Sequence, residues 1–339
     1  MNIREAIAKV VCFENLTERQ TRDVFGEIMS GKATPSQIGA FITALRMKGE
    51  TVEEITGAAK VMREKALKIK VRGTVLDTCG TGGSGINRFN ISTTVAFVLA
   101  GCGVKVAKHG NRSASSHCGS ADVLEELGVK LDVSAKKAEK CIKEINIGFL
   151  FAPLFHGAMK YAVTPRREIG IRTVFNILGP LCNPASATCQ VLGVYDENLM
   201  VTIAKVLKNL GTKRAFVVHG SDCLDEVTIA GKTKIVELRN GKIRSYYVSP
   251  NTFGFKRADL NTIKGGTAKE NAKTIKNVLT GETGPRRDVV LMNSSVALMA
   301  AGKAGSFKEG VRIAARSIDS AKALEKLERL IKITNKGAK

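Results

Sequence analysis

Residues 77–93 read DTCGTGGSGINRFNIST, and this stretch decides the fold more than any other part of the chain. A short apolar run at 71–77 precedes the glycine cluster and predicts a strand, and a helical pattern follows from about Ser92 to Ala100. A strand, a glycine-rich turn and a helix in this order direct backbone N–H groups and a helix N-terminus at one point, which suits an anion. The turn is not a Walker A motif, because no Gly-Lys-Ser/Thr follows, and its glycines do not have the Rossmann spacing.

Further apolar runs continue this alternation of strand and helix along the chain. Helical patterns separate several of the runs, and we predict strands at 104–107, 147–151, 189–194, 215–218 and 288–292. Such alternation predicts a large α/β domain with a mostly parallel central sheet flanked by helices. Ligands of open α/β sheets bind at the carboxyl ends of the strands, which is where the glycine cluster lies.

Residues 1–70 predict a small all-α domain in front of the sheet. Three capping-box patterns begin at Thr17, Thr34 and Thr51. The helix after the second box has apolar residues at three- to four-residue spacing and ends near Gly49; these residues are Ile38, Phe41, Ile42 and Leu45. Further along, three prolines bracket a segment that we interpret as a linker or a crossover between domains: Pro165, Pro180 and Pro184.

Length and composition exclude several classes of protein. A chain of 339 residues suits roughly two domains, and 44% hydrophobic with 25% charged residues excludes global disorder. No run approaches 18 apolar residues and the N-terminus mixes acidic and basic residues, so we expect neither a membrane span nor a signal peptide. The eight cysteines include no CxxC pair, and reduced cysteines in a cytoplasmic protein are expected.

The charge of the chain is unusual. Lys and Arg number 53 against 31 Asp and Glu, which gives a net charge of +22. Such a balance suits nucleic acid, a membrane surface or a phosphorylated small molecule. Because the charge is spread along the chain, it does not by itself choose among these partners.

Two polar clusters follow predicted strands. Residues 108–116, KHGNRSASS, combine two cations, an imidazole and several hydroxyls, which suits a pyrophosphate or a sugar phosphate. Asp225 and Glu226 follow the strand at 215–218, and paired carboxylates at a strand end favour Mg²⁺ together with substrate phosphates. The four histidines lie within or beside these clusters, although each alone is more typical of a structural role: His109, His117, His156 and His219.

These clusters form an ordered set that closely resembles the anthranilate phosphoribosyltransferase family. The set also includes FNILGPLCNP within 151–184, the DEV of 225–227 and AGKAGSFKEGVRIA near the C-terminus, so the resemblance covers almost the whole chain. It implies a glycosyltransferase that moves the 5-phosphoribosyl group of phosphoribosyl pyrophosphate to the amine of anthranilate. That reaction is the second step of tryptophan biosynthesis from chorismate. The glycine loop more distantly resembles that of pyrimidine nucleoside phosphorylases.

The resemblance also implies an organisation and a set of partners. It places residues 1–70 in the small helical domain, with a contribution from about 164–184, and residues 71–163 and 185–339 in the large domain. The active site would lie in the cleft between them, and a homodimer would form through the helical domains. We expect Mg²⁺ as cofactor, with two ions, a cytoplasmic location, no membrane partner and no nucleic acid.

Residue roles follow from the resemblance position by position, and none of them is a covalent nucleophile. The residues implied to bind phosphoribosyl pyrophosphate are Gly80, Gly83, Ser84, Arg88, Asn90, Ile91, Ser92, Thr93, Lys108, Asn111, Arg112, Ser115, Ser116 and Ser120. Those implied to bind anthranilate are Gly80, His109, Asn111, His156, Arg166 and Pro180. Those implied to bind metal are Ser92, Asp225 and Glu226.

The chain departs from the family pattern at three positions. Ser84 stands where the family usually has Asp, Arg88 where it usually has Thr, and Phe155 where Tyr usually precedes the histidine. The first two lie on the pyrophosphate side and bear on metal preference and affinity. Together with the net charge, they leave two alternatives open: a pyrimidine nucleoside phosphorylase-like enzyme, and a non-catalytic relative that binds nucleic acid.

Overall fold

The computed structural model describes residues 1–83, 85–113 and 118–336. The chain opens with a helical bundle, α1 (Ile3–Val11), α2 (Glu18–Met29), α3 (Pro35–Lys48) and α4 (Val52–Lys65). The predicted capping boxes are present at Thr17, Thr34 and Thr51, each of which accepts a hydrogen bond from the backbone N–H three residues on. Gly49 follows α3 where the apolar pattern ends. The prediction of a small all-α part is confirmed.

One sheet forms the centre of the rest of the chain. Within the described ranges it has seven strands: β1 (Val75–Gly80), β2 (Lys105–Gly110), β3 (Ile147–Phe151), β4 (Cys189–Gly193), β5 (Arg214–Gly220), β6 (Thr233–Arg239) and β7 (Lys242–Val248). Their spatial order is β3-β2-β1-β4-β5-β6-β7. The first five in this order are parallel, and β6 and β7 add an antiparallel edge. The predicted α/β domain with a mostly parallel sheet is therefore confirmed.

The other helices flank the sheet or join its strands. They are α5 (Ile91–Gly101), α6 (Ser120–Glu126), α7 (Ala135–Ile145), α8 (Ala152–Phe155), α9 (Lys160–Ile169), α10 (Val174–Leu181), α11 (Leu199–Asn209), α12 (Pro250–Phe253), α13 (Ala268–Leu279), α14 (Pro285–Ala300), α15 (Phe307–Asp319) and α16 (Lys322–Asn335). Short 3₁₀ helices occupy Gly157–Met159 and Leu260–Ile263. Among the described residues no helix is long and apolar enough to cross a membrane.

Two large apolar cores lie on opposite faces of the sheet. Neighbouring residues of β5 enter different cores, because side chains alternate along a strand. Phe216 belongs to the core shared with α5, α14, α15 and α16, and Val217 belongs to the core shared with α10, α11 and the helical bundle. The bundle is thus packed against one face of the sheet by way of α10 and α11.

The segment bracketed by the three prolines is helical rather than an extended linker, and it connects β3 to β4 by way of the bundle, as the crossover alternative expects. It contains α9 and α10, which pack against the bundle helices α2, α3 and α4. The ring of Phe175 in α10 lies 5.6 Å from the ring of Phe25 in α2. Burial of such apolar side chains stabilises α10 even though Pro180 lies inside it.

Two strand predictions are corrected. The apolar run 288–292 lies in α14, where residues 289–298 are buried almost without interruption. A short apolar run does not distinguish a buried strand from a buried helix, and here the helix is correct. The strand predicted at 71–77 instead begins at Val75, because Gly73 has a φ of +88° that no strand residue adopts, and it continues to Gly80.

The hairpin formed by β6 and β7 is missing from the sequence prediction. Its two strands are separated by Asn240 and Gly241, with φ values of +50° and +73°. An Asn-Gly pair between two strand-like runs is a strong hairpin signal, and it is present in the sequence.

Candidate active site

The glycine cluster meets two other strand ends at the carboxyl edge of the sheet. Gly80 ends β1 in register with Gly193 at the end of β4, and the backbone N–H of Thr81 donates to the Gly193 oxygen at 2.9 Å. A Cβ placed on Gly80 would lie 2.5 Å from Oδ2 of Asp225, in the loop after β5. Glycine at position 80 therefore allows a buried carboxylate to reach the glycine loop.

Asp225 and Glu226 form a carboxylate pair beside two cations. Asp225 is 1% exposed, and its Oδ1 lies 2.5 Å from Nη2 of Arg88 in an ion pair without hydrogen-bond geometry. Within the described ranges, neither carboxylate oxygen of Asp225 has a hydrogen-bond partner. Burial raises the pKa of Glu226 to about 7; Arg88 and Lys108 act against this rise, and Asp225 adds to it. The pair can therefore offer oxygen ligands to a hard cation.

Lys108 lies under the same site. Its Nζ donates to the Thr78 backbone oxygen at 2.7 Å and to Oγ of Ser92 at 3.2 Å. Burial lowers the pKa of Lys108, and the neighbouring Asp77 opposes that effect. The ammonium group thus links β1, β2 and the first turn of α5 beneath the glycine loop.

The N-terminus of α5 keeps backbone donors for the site. Asn90 precedes the helix but does not cap it, because its side chain donates to the Cys118 oxygen and accepts from Asn271. The backbone N–H of Ser92 instead faces Glu226 and lowers the pKa of that carboxyl. Anions are stabilised at such a helix end.

The glycine loop has a backbone that other residues rarely adopt. Gly82, Gly83 and Gly85 have φ values of +68°, +74° and +73°. This left-handed region favours glycine because a Cβ is crowded there. The turn can therefore present backbone N–H groups to a ligand without side chains in the way.

Arg172 is a contact of this loop that the sequence analysis missed. It lies between α9 and α10, and its Nη2 donates to the Gly83 backbone oxygen. Its guanidinium also stacks on the ring of Tyr195, 4.1 Å from the centroid, and the Tyr195 N–H donates to Oγ1 of Thr81 at 3.1 Å. The glycine loop is therefore held from both sides, by the turn after β4 and by the α9–α10 connection.

His109 and His156 form a buried imidazole pair. Their ring centroids are 5.0 Å apart, and among the described residues Nε2 of each ring lacks a hydrogen-bond partner. Burial lowers the pKa of His109 to about 3 and that of His156 to about 4. Both rings are therefore neutral near pH 7, with one nitrogen available to a ligand.

A second buried carboxylate supports His109. Asp77 Oδ1 accepts the His109 backbone N–H at 3.3 Å, and Oδ2 accepts from Nδ2 of Asn183 at 2.7 Å. Asn183 also donates to the Ala107 oxygen at 2.8 Å. Burial raises the pKa of Asp77 to about 6, although Lys108 and Asn183 lower it. This network, which the sequence analysis did not single out, ties β1 and β2 to the turn after α10.

Arg166 and Pro180 lie in the helical segment that follows His156. The guanidinium of Arg166 is 5.1 Å from the Phe175 ring centroid, and burial lowers its pKa. No acidic side chain of the described residues forms an ion pair with Arg166. Pro180 is buried in α10, and its oxygen accepts from Nε2 of Gln190 at 2.6 Å.

Arg112 is held by acidic neighbours. It contacts Glu125 at 2.8 and 3.0 Å and Asp122 at 3.2 Å. Oδ2 of Asp122 also accepts the N–H groups of Ser113 and Gly119 at 3.0 and 2.8 Å. Asp122 therefore contacts Arg112, Ser113 and Gly119 at once, and it shares the Arg112 guanidinium with Glu125.

The remaining predicted residues differ in their exposure. Asn111 is exposed, and its backbone oxygen accepts from Oγ of Ser120 at 3.4 Å. Ile91 and Thr93 are each 1% exposed; the Ile91 N–H donates to the Phe89 oxygen at 2.8 Å, and Oγ1 of Thr93 has no hydrogen-bond partner among the described residues. Ser84, Ser115, Ser116 and His117 lie outside the described residues.

The carboxylate pair is the candidate metal site of the described residues. Across residues 1–83, 85–113 and 118–336, no group of three or more His, Cys, Asp or Glu side chains could hold a metal ion. A closed all-protein cage is therefore absent from that part of the chain. Mg²⁺ commonly uses only one or two carboxylates plus waters and substrate phosphates, which fits this site.

The fold and this site define a glycosyl transferase. Residues 4–66 match the model of the glycosyl transferase family, helical bundle domain, and residues 72–324 match that of the glycosyl transferase family, a/b domain. The match therefore spans both the bundle and the sheet.

Comparison with individual proteins identifies one family within the glycosyl transferases. The chain is 57% identical to an anthranilate phosphoribosyltransferase of Geotalea uraniireducens, covering 98% of this chain and 99% of that protein. The crystal structure of the Thermus thermophilus enzyme of that name superposes with a TM-score of 0.93 at 42% identity, covering 97% and 99% of the two chains. The Saccharomyces cerevisiae enzyme, in complex with PRPP and Mg, gives 0.90 at 31% identity, covering 98% of each. The chain belongs to the anthranilate phosphoribosyltransferase family.

Proposed function

We propose that this chain transfers the 5-phosphoribosyl group of phosphoribosyl pyrophosphate to the amine of anthranilate. The products are N-(5-phosphoribosyl)anthranilate and pyrophosphate. The observation that carries the proposal is the meeting of Arg88, Lys108, Asp225 and Glu226 beside the glycine loop. Cations with a pair of carboxylates suit a metal-bound diphosphate. Membership of the family indicates phosphoribosyl pyrophosphate and anthranilate as the two substrates.

Phosphoribosyl pyrophosphate would bind at the carboxyl edge of the sheet. The backbone donors of the glycine loop and of α5 suit its phosphates, and Lys108 supplies a buried cation. We assign to this substrate the described residues Gly80, Gly83, Arg88, Asn90, Ile91, Ser92, Thr93, Lys108, Asn111, Arg112 and Ser120. Ser84, Ser115 and Ser116 keep this role as predictions from the sequence.

Asp225, Glu226 and the Ser92 hydroxyl would hold Mg²⁺, for which we propose two ions. The buried Asp225 carboxylate, with both oxygens lacking a hydrogen bond from the described residues, fits this use. When bound, magnesium would neutralise the charge that develops on the departing pyrophosphate. The yeast relative with bound PRPP and Mg supports this proposal.

Anthranilate would lie between the imidazole pair and the α9–α10 segment. Arg166, without an ion pair to any described residue, suits the carboxylate, because a guanidinium can bind it through two hydrogen bonds. The available Nε2 atoms of His109 and His156 suit an uncharged aromatic amine, which can donate to them. Gly80, Asn111 and Pro180 complete our assignment for this substrate.

The reaction requires no covalent intermediate on the protein. The amine attacks the ribose carbon as the bond to pyrophosphate breaks, and the amine proton is lost afterwards. An aniline-type amine is a weak nucleophile, so most of the acceleration should come from positioning and from stabilising the leaving group. Gly80, which we assign to both substrates, would lie where the two substrates meet.

Loss of anthranilate fluorescence tests the proposal. We expect the purified chain to deplete the fluorescence when phosphoribosyl pyrophosphate and Mg²⁺ are both present. Omitting either one, or adding a chelator, should stop the depletion. A chain that binds both substrates but never depletes anthranilate would contradict the proposal.

The same preparation tests the two alternatives. A nucleoside phosphorylase would cleave a pyrimidine nucleoside with inorganic phosphate and would not respond to anthranilate. A nucleic-acid binder would be retained on DNA and released steeply as salt increases. We expect neither result.

We further propose a homodimer in the cytoplasm, assembled through the helical bundle. Phe13 and Met47, near the ends of the packed helices α1 and α3, are 65% and 72% exposed, and such apolar side chains suit burial against a second copy. We propose a helical domain of residues 1–70 with about 164–184, which includes the helices that pack on the bundle. Light scattering at known protein concentration would measure the oligomer.

A further inference from the structure

Arg88 already pairs with the carboxylate that would bind the metal. Its Nη2 lies 2.5 Å from Asp225 Oδ1, and the two side chains are 18% and 1% exposed. Ion pairs removed from water interact strongly, and one partner left alone is costly. A divalent cation at Asp225 would therefore compete with the guanidinium for the same oxygen.

The backbone of Arg88 is held in place by its neighbours, so only its side chain can move away from Asp225. The Phe89 N–H donates to the Ile263 oxygen at 3.2 Å, and Phe89 itself is 1% exposed. A Cβ on Gly265 would overlap the Arg88 backbone oxygen, so this segment packs directly against the end of the glycine loop. Arg88 Nη1 also lies 3.4 Å from the Ile86 oxygen. A guanidinium released from Asp225 would therefore stay beside the glycine loop.

A diphosphate in that loop would give the guanidinium a new partner. The planar fork of Arg matches phosphate oxygens through two hydrogen bonds. We propose that Arg88 is a resident counter-ion of Asp225 that makes metal binding at Asp225 and Glu226 depend on a bound diphosphate. Metal requires the guanidinium to leave, and the diphosphate supplies the oxygens to which it moves. The inference rests on the proposed function only in taking the diphosphate to be that of phosphoribosyl pyrophosphate.

Titration with Mn²⁺ alone, followed by electron paramagnetic resonance of the free ion, tests the competition. Arg88→Gln keeps a polar but shorter side chain and removes the charge. We expect it to bind Mn²⁺ about tenfold more tightly than the wild type, which lies within the usual range for coupling between sites. Arg88→Gln/Asp225→Asn should lose that gain, and Arg312→Gln, which removes an exposed charge on α15, should match the wild type.

A second titration adds inorganic pyrophosphate. Pyrophosphate should raise the Mn²⁺ affinity of the wild type much more than that of Arg88→Gln, because the variant has no guanidinium that competes with Mn²⁺ for Asp225. Arg88→Lys retains a cation and should bind Mn²⁺ within about threefold of the wild type. If circular dichroism shows that Arg88→Gln is unfolded, Arg88→Met, which also removes the charge, replaces it in both titrations.

Two results would overturn the proposal. One is equal Mn²⁺ affinity in folded Arg88→Gln and wild type. The other is a gain that persists when Asp225 is also replaced. Neither measurement depends on turnover, so a chain that fails to transfer the phosphoribosyl group would contradict the proposed function and leave this test intact.

Discussion

Arg166 is the residue whose replacement should affect anthranilate most directly. Its guanidinium is partly buried, forms no ion pair with the described residues, and faces only the Phe175 ring among the contacts observed. Arg166→Ala should reduce kcat/KM for anthranilate by roughly 30- to 150-fold, as expected for loss of about 2–3 kcal/mol from a charge-assisted contact. Steady-state kinetics with each substrate varied would measure this.

The neighbouring exposed Arg167 provides the matched control. Arg167→Ala should leave both Michaelis constants close to those of the wild type. If Arg166→Ala instead raises the Michaelis constant for phosphoribosyl pyrophosphate and leaves that for anthranilate unchanged, the role assigned to Arg166 is wrong.

The carboxylate pair provides a second prediction about single residues. Replacing Asp225 with Asn and Glu226 with Gln retains shape and removes the charges that a metal needs. We expect a strong loss of rate, with part of it recovered at high Mg²⁺, and an unchanged circular dichroism spectrum. Full activity at low Mg²⁺ in the double variant would eliminate the metal role.

Sequence patterns identify site residues whose partners are close along the chain. The segment KHGNR and the Asp225–Glu226 pair each follow a strand end, and their chemistry can be read locally. Arg172 and Asn183 offer no such pattern, because the groups they contact, Gly83 and Asp77, lie about 90 to 110 residues away. Only the folded chain brings these pairs together, and the sequence alone therefore could not reveal them.

At the scale of elements, the glycine loop should depend on the connection between α9 and α10. Arg172→Ala removes the donor to the Gly83 oxygen and the stacking on Tyr195. We expect the Michaelis constant for phosphoribosyl pyrophosphate to rise about tenfold, from loss of a hydrogen bond made by a charged group, with little change for anthranilate. Calorimetric binding of phosphoribosyl pyrophosphate would provide an independent measure.

A double-mutant cycle separates this positioning role from general destabilisation. A Cβ on Gly83 would collide with the Arg172 guanidinium. Gly83→Ala should therefore cost less binding energy in the Arg172→Ala background than in the wild type, although the strain of a φ near +74° remains in both. Additive effects of the two changes would mean that Arg172 does not act through Gly83.

Helices and strands differ in how well their local sequence predicts them. The capping boxes of α2, α3 and α4 are local, and they predict the helix starts correctly. The run at 288–292 has no local feature that separates a buried strand from a buried helix, so the prediction there failed. The β6–β7 hairpin has its signal in Asn240 and Gly241, and the sequence could have revealed it.

At the scale of the whole molecule, opposing titrations should flatten the dependence of stability on pH. The imidazoles of His109 and His156 have lowered pKa values, so acid favours the unfolded chain as pH falls below about 6.5. Asp77 and Glu226 have raised pKa values, so stability falls as pH rises from about 4 to 7. Between pH 5 and 7 these two contributions have opposite signs.

Removing one histidine should expose the carboxylate contribution. Protonation of His109 in the unfolded chain lowers the free energy of unfolding between pH 7 and pH 5, and His109→Gln should eliminate this loss of about 2 kcal/mol. The free energy of unfolding at pH 5, measured relative to that at pH 7, should therefore be about 2 kcal/mol higher in the variant than in the wild type. Urea unfolding at both pH values measures this, and an unchanged difference between them would show that His109 is not buried in its neutral form.

The pairing of β1 with β4 has a consequence for synthesis of the chain. Leu76 pairs with Cys189, so one side of β1 lacks its neighbour until about 110 further residues have been translated. At roughly 5–20 residues per second, that edge of β1, with its backbone N–H and C=O groups, stays unpaired for about 5–20 s. An unpaired edge of this kind recruits other strands, including those of neighbouring nascent chains. Slow codons between positions 81 and 189 should therefore lower the yield of folded protein while leaving every amino acid unchanged.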